Sequence, residues 1–357
     1  MTILLPIGGL IGGLGLQVSS AHEFHFVQAT AGSPGGTTPD WKSAPPTVRA
    51  FKPLANTVNV RWDEEFAYIE ANAFPDHEMM TGITAWNQQV PLPQDYSGDN
   101  AWRIPLKPQP AGNRVSAKES LFKGAIAVAL NGVPIFNPIK QDGRTDTFLA
   151  GELDEFGGHA GRADDYHYHI APWHLQEVVG DSAPIAFALD GYPLFGTKEA
   201  DGSDVDTKSL DEFNGHQHGD SPYHYHASRD YPYINGGFHG EVELRDGQVA
   251  VQPRAQGVRP YTRPLRGATI TGFERTSERS YTLAYEVDER VHYIRVETQD
   301  DGGAKFNFLD PDGEAVSETY TRRPNKGARE GRPRGGEEGK PRRKGKGKSR
   351  DERPPRS

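Results

Sequence analysis

Two stretches of the chain concentrate side chains that bind metal ions. "LDEFGGHAGRADDYHYHI" spans 153–170, and "LDEFNGHQHGDSPYHYHA" spans 210–227. Each carries three histidines at the spacing H-x7-HxH: His159, His167 and His169 in the first, His216, His224 and His226 in the second. Read as a strand, "YHYH" puts its two histidines on one face and its two tyrosines on the other, because successive side chains alternate. Two such rings converge on one ion at a metal–nitrogen distance of roughly 2.0–2.1 Å, while the tyrosines pack inward with their hydroxyls bonded. The third histidine comes from a loop, after Gly-Gly or Asn-Gly, where the backbone can turn sharply. Asp154, Glu155, Asp211 and Glu212 are adjacent carboxylates, suited as a fourth ligand or as acceptors for a ring N–H. Asp164 and Asp165 flank the first set, and Asp220 the second.

The metal follows from the donors. The chain has no cysteine, so thiolate sites and disulfides are excluded and nitrogen and oxygen must serve. Copper is favoured by the Irving–Williams order, and zinc by a three-histidine site with one open position. Either requires neutral imidazole, so binding should weaken as pH falls below the histidine range. Calcium is a lesser expectation, placed in "DGSDVD" at 201–206 rather than at the histidines.

The elements that must hold these residues are short strands. "AVALNGVPIFNP" at 127–138 and "AFALDGYPLFGT" at 186–197 each read as a hairpin about an Asn-Gly or Asp-Gly turn. They are offset by 59 residues, and the two histidine stretches by 57. One unit therefore occurs twice, at about 127–174 and 186–231, which suggests a pseudo-twofold pair rather than a solenoid. Upstream, "TVNVRW", "FAYIEANAF" and "NAWRIPL" are further strand candidates. With 41 Gly and 28 Pro and few long amphipathic helical patterns, the fold expected is mainly β. It comprises a duplicated β-rich domain at 47–240 and a small antiparallel β-appendage at 258–320. His174, His218 and His239 lack repeat partners and read as ordinary polar residues, and His292 is assigned no chemistry.

The ends differ from the body. An apolar run from Ile3 to Leu16, followed by Ser19 and Ala21, reads as a signal peptide over 1–21. The mature chain is then expected to be secreted or periplasmic, with no transmembrane helix. Cleavage there would leave His22 as the N-terminus, where an amine and a ring can chelate copper, but His22 and His25 read first as ordinary surface residues near a flexible end. Residues 321–357 hold 15 Lys/Arg against 5 Asp/Glu, net +10, which leaves −19 for the rest of a chain whose total is −9. That tail is expected to be disordered and free to bind an anionic polymer or surface. The acidic body argues against specific nucleic-acid recognition.

The doubled "GH…YHYH", the "ALNGVPIFNP" and "ALDGYPLFG" segments and the loop "FPDH" resemble the YHYH-domain family over about Val58 to Gly240. The β-appendage and "SETY" near Tyr320 also fit longer members. That resemblance implies an exported bacterial protein of poorly defined function, a fold and a histidine-rich site, but no reaction. It adds His77, in "FPDH", as a residue approaching the site. Many relatives are expected to carry Cys beside these motifs; here Phe156 and Phe213 precede "GGH" and "NGH".

Three readings of function follow. The first is an exported protein that coordinates copper or zinc on its duplicated histidine clusters. The second is a histidine-ligated metalloenzyme, a hydrolase with Glu155 or Glu212 as base or an oxidoreductase using the neighbouring tyrosines. The third is a metal-stabilised surface module.

Overall fold

A computed structural model describes residues 40–321. The expected signal peptide, His22, His25 and the tail beyond Thr321 lie outside the described residues. The fold is mainly β. Helix α1 (Pro46–Ala50) begins with proline, whose fixed φ suits a first turn. Strands β1 (Asn59–Trp62), β2 (Phe66–Glu70) and β3 (Trp102–Pro105) then form an antiparallel sheet in that order. These are the three upstream segments expected to be strands. β4 (Pro110–Ser116) leads into the centre of the molecule.

The central sheet has eight strands. β5 (Ala125–Ala129) and β6 (Pro134–Phe136) are the first expected hairpin, and β7 (Gly158–Ala160) and β8 (Tyr166–Tyr168) carry the first histidine set. Helix α2 (Leu175–Val179) follows. β9 (Pro184–Ala188) and β10 (Pro193–Phe195) make the second hairpin, and β11 (Gly215–His216) and β12 (His224–His226) carry the second set. The spatial order is β11-β12-β10-β9-β5-β6-β8-β7. β5 and β9 lie antiparallel at the middle, with Val128 opposite Phe187. The β10–β12 and β6–β8 contacts are parallel, and all other neighbours are antiparallel. Every residue of β5, "AIAVA", is buried. A strand covered on both faces needs a continuous apolar run instead of alternation.

Three smaller sheets complete the molecule. β13 (Gly237–Gly240) returns to pair with β4, and β14 (Leu244–Arg245) pairs with β15 (Gln248–Val249). The last is an antiparallel meander of β16 (Thr269–Arg275), β17 (Ser280–Val287), β18 (Arg290–Thr298), β19 (Ala304–Leu309) and β20 (Ala315–Tyr320). Its strands alternate: Tyr281, Leu283, Ile294, Val296 and Phe306 are buried, with exposed or partly exposed neighbours between them.

The meander is fastened to the body. Backbone bonds join Gly82 to Ile270 and Ile270 to Ile83, at 2.9 and 3.0 Å. Phe74 packs on Tyr281 with ring centroids 5.1 Å apart. Before β16, Arg259 donates from Nε to Asp164 Oδ2 at 2.9 Å and from Nη2 to Oδ1 at 2.7 Å, both groups buried. Its guanidinium also lies 4.3 Å from the centre of the Phe306 ring.

Candidate metal centres

Each histidine cluster is built by a two-stranded edge of the central sheet. In β7–β8, His159 lies directly opposite His167, and in β11–β12 His216 lies directly opposite His224. The glycine before each loop histidine permits this close approach. A Cβ on Gly158 would sit 2.4 Å from Tyr166 Cζ, and one on Gly215 would sit 2.1 Å from the Tyr223 hydroxyl. One residue earlier, Gly157 and Asn214 turn the chain at φ +85° and +57°.

In the first cluster the three ring centroids form a triangle with every side 4.9 Å. His159 Nε2 and His169 Nε2 lie 3.2 Å apart. The opposite nitrogens are fixed by backbone. His167 Nδ1 donates to the Asp165 carbonyl at 2.9 Å and His169 Nδ1 to the Asn137 carbonyl at 2.7 Å. A carbonyl only accepts, so the proton of each neutral ring sits on Nδ1 and Nε2 keeps its lone pair. Phe136 stacks on His167 with centroids 4.1 Å apart.

The second cluster has the same plan, with centroid separations of 4.9, 5.1 and 5.0 Å. His224 Nδ1 donates to the Pro222 carbonyl at 2.8 Å, and His226 Nδ1 to that of Gly196 at 3.0 Å. His216 Nδ1 bonds the Ser209 hydroxyl at 2.7 Å. A fourth donor is present: Glu199, buried, whose Oε1 is 3.0 Å from His216 Nε2. Its Oε2 lies 2.9 Å from His224 Nε2 and 3.4 Å from His226 Nε2. Glu199 Oε1, His216 Nε2 and His226 Nε2 are nonetheless buried without an aligned hydrogen-bond partner. Such a convergence of buried polar atoms without aligned partners could hold a metal ion.

Electrostatics agree. Burial drives His159 and His169 well below the ordinary imidazole range, and it also lowers His216 and His226. All four are therefore neutral, ligand-competent rings at physiological pH. Burial pushes the Glu199 carboxyl up, but the close approach of the His224, His226 and His216 rings outweighs it. The group stays below the usual carboxylate range and is ionised.

Residues 101–209 match the YHYH protein family. The match takes in the first cluster and Glu199 and ends before His216. No curated protein and no solved structure matches the chain.

The other expected site residues lie elsewhere. His77 is on the tyrosine face of β8, opposite the triad. Its Nδ1 donates to the Glu78 carbonyl and its Nε2 accepts from the Tyr168 hydroxyl, both at 2.7 Å. Asp154 accepts from the backbone of Met80, Phe156 and Gly158 and from the Tyr166 hydroxyl, so its lone pairs are used in holding the turn. Asp211 does likewise with Phe213, Gly215, Tyr223 and Arg114. Glu155 and Glu212 are exposed. None of these five belongs to either convergent group. Nor do the carboxylates at 201–206: Asp201 caps Ser203, Asp204 pairs with Lys198 at 2.6 Å, and Asp206 caps Lys208.

Sequence reading missed Glu199. The 59-residue offset carried no signal for it, because it aligns Glu199 with Lys140. Lys140 pairs with Glu152 at 2.5 Å beside the first cluster.

Proposed function

We propose that the chain is an exported metal-binding protein that holds copper or zinc at two centres, one per histidine cluster. The supporting observation is that the donor atoms of each cluster converge, close to the spacing one ion imposes. Two donors bound tetrahedrally at roughly 2.0–2.1 Å from one ion lie about 3.3–3.4 Å apart. The donor pairs here stand at 3.2 Å in the first cluster and at 2.9, 3.0 and 3.4 Å in the second. The donor chemistry, neutral imidazole with at most one carboxylate, suits copper or zinc better than calcium.

Two copies of one ancestral unit account for the pair of centres. Val128 and Phe187, paired across the middle of the sheet, are 59 residues apart, which is also the offset between the two hairpins. A pseudo-dyad through that pair would exchange the halves of the sheet and carry one cluster onto the other. Export is supported by the apolar leader with small residues at Ser19 and Ala21; among the described residues no helix is long and apolar enough to cross a membrane.

Elemental analysis of untagged protein, beside a variant with His167, His169, His224 and His226 changed to Ala, tests the reading. The expected result is close to two ions of copper or zinc per chain, absent from the variant. Absence of transition metal from the wild type, even after reconstitution at neutral pH, would sink it.

A further inference from the structure

The two centres are alike in their histidines and opposite in their fourth group. At the position where the second offers Glu199, the first has Lys140, 59 residues earlier. Glu199 is buried with its oxygens 2.9–3.4 Å from three ring nitrogens. Lys140 offers no lone pair when charged. Its ammonium is held by Glu152 at 2.5 Å. The first triad, His159, His167 and His169, has no carboxylate among its convergent atoms. His159 is also only partly buried, so this cluster meets solvent.

We propose that the second centre is coordinatively closed by Glu199, whereas the first takes a small exogenous anion as its fourth ligand, drawn by the Lys140 ammonium. This deepens the metal-binding reading and rests on it. A divalent ion on three neutral imidazoles keeps its full double charge and one unfilled position, and both favour an anion. In the second centre the carboxylate fills that position and cancels part of the charge. A nearby cation strengthens anion binding, by an amount that solvent at this open cluster moderates. The ligand class is small and monodentate: hydroxide, azide, a halide or a carboxylate. Of the two clusters, the first alone then has a place at which an outside molecule can be activated.

Cobalt(II) reports coordination through its visible ligand-field bands and binds the same donors. The full chain is loaded with cobalt, its stoichiometry is measured, and azide is titrated in. The expected result is two cobalt ions per chain and a spectral change at one of them. In His159→Ala the response disappears while one cobalt remains. In Lys140→Met the azide dissociation constant rises roughly tenfold. In Glu199→Gln a second, independent azide response appears, because the closing carboxylate is gone; this gain does not depend on any variant losing function. A response at both centres of the wild type, no response at either, or a single response in Glu199→Gln overturns the proposal. Failure of cobalt, copper and zinc to bind at all is a separate result, read by metal content, and overturns the metal reading itself.

Discussion

His159 and His169 bring their Nε2 atoms to 3.2 Å of each other. His169 has committed its proton to Nδ1, which donates to the Asn137 carbonyl. Its Nε2 therefore presents a lone pair to the second ring. Without an ion, His159 must spend its own proton on that contact. With a cation between them both rings offer lone pairs, as the same backbone fixation of His167, His224 and His226 prepares their Nε2 atoms to do.

Metal should therefore stabilise the fold. An ion in hundredfold excess over its dissociation constant contributes about 2.7 kcal/mol per site. For a chain of this size that raises the melting temperature by roughly 4–5 °C per centre. Calorimetry of chelator-treated protein before and after zinc addition measures it. An unchanged melting temperature would show that the ion does not favour the native state.

Gly158→Ala tests how the loop histidine is seated. The added methyl would lie 2.4 Å from the Tyr166 ring, so strand or ring must move. The expected cost is about 1–3 kcal/mol by denaturant titration, with loss of one metal equivalent from the first cluster only. Gly215→Ala, against Tyr223, should do the same to the second.

His77 gives a pH signature unconnected with ligation. Burial lowers its pKa from 6.5 to about 4. Between those values the unfolded chain takes up a proton that the native one refuses, so stability is complete above pH 6.5 and declines as pH falls toward 4. His77→Gln should flatten that slope by up to about 1.4 kcal/mol per pH unit. Asp154 and Asp190, raised by burial to about 6, act in the opposite sense and are common to both proteins. Equal slopes in chemical denaturation from pH 7 to 4 would remove His77 from this role.

Arg259→Met should be among the most destabilising single changes outside the clusters. It strips both guanidinium bonds from Asp164 and leaves a buried carboxylate facing only the backbone N–H of Val90. Loss of one partner from such a pair costs about 3–5 kcal/mol. Changing both residues, to Met and Asn, should recover part of that. A double variant as unstable as the single one would place the effect in packing on Phe306.

Much of this was legible beforehand because it depends on local pattern. The H-x7-HxH spacing, the alternation in "YHYH" and the Asn-Gly and Asp-Gly hairpins each follow from the two-residue period of a strand and from turn chemistry. Glu199 was not legible. It lies on the loop after β10, separated in sequence from His216, and the residue aligned with it has the opposite charge. The adjacent acids misled for a related reason. Asp154 and Asp211 stand next to the histidines but spend their oxygens on the N–H groups of the turns that place them. His77 was drawn toward the site by its motif, but it belongs to the tyrosine face of the same strand. The order of the eight strands was hidden because parallel contacts such as β6–β8 join segments with no short turn between them.

The outermost strands of the central sheet are also among its shortest: β7 has three residues and β11 has two. A sheet edge with unpaired backbone groups is a template for joining another chain, and brevity is one defence. Each rim here is a hairpin whose paired strands carry facing histidines. An ion bound there, as proposed, would staple the outer strand to its neighbour at both ends of the sheet. Starved of metal, the protein would loosen at its two margins, and the first symptom would be chains sticking together edge to edge.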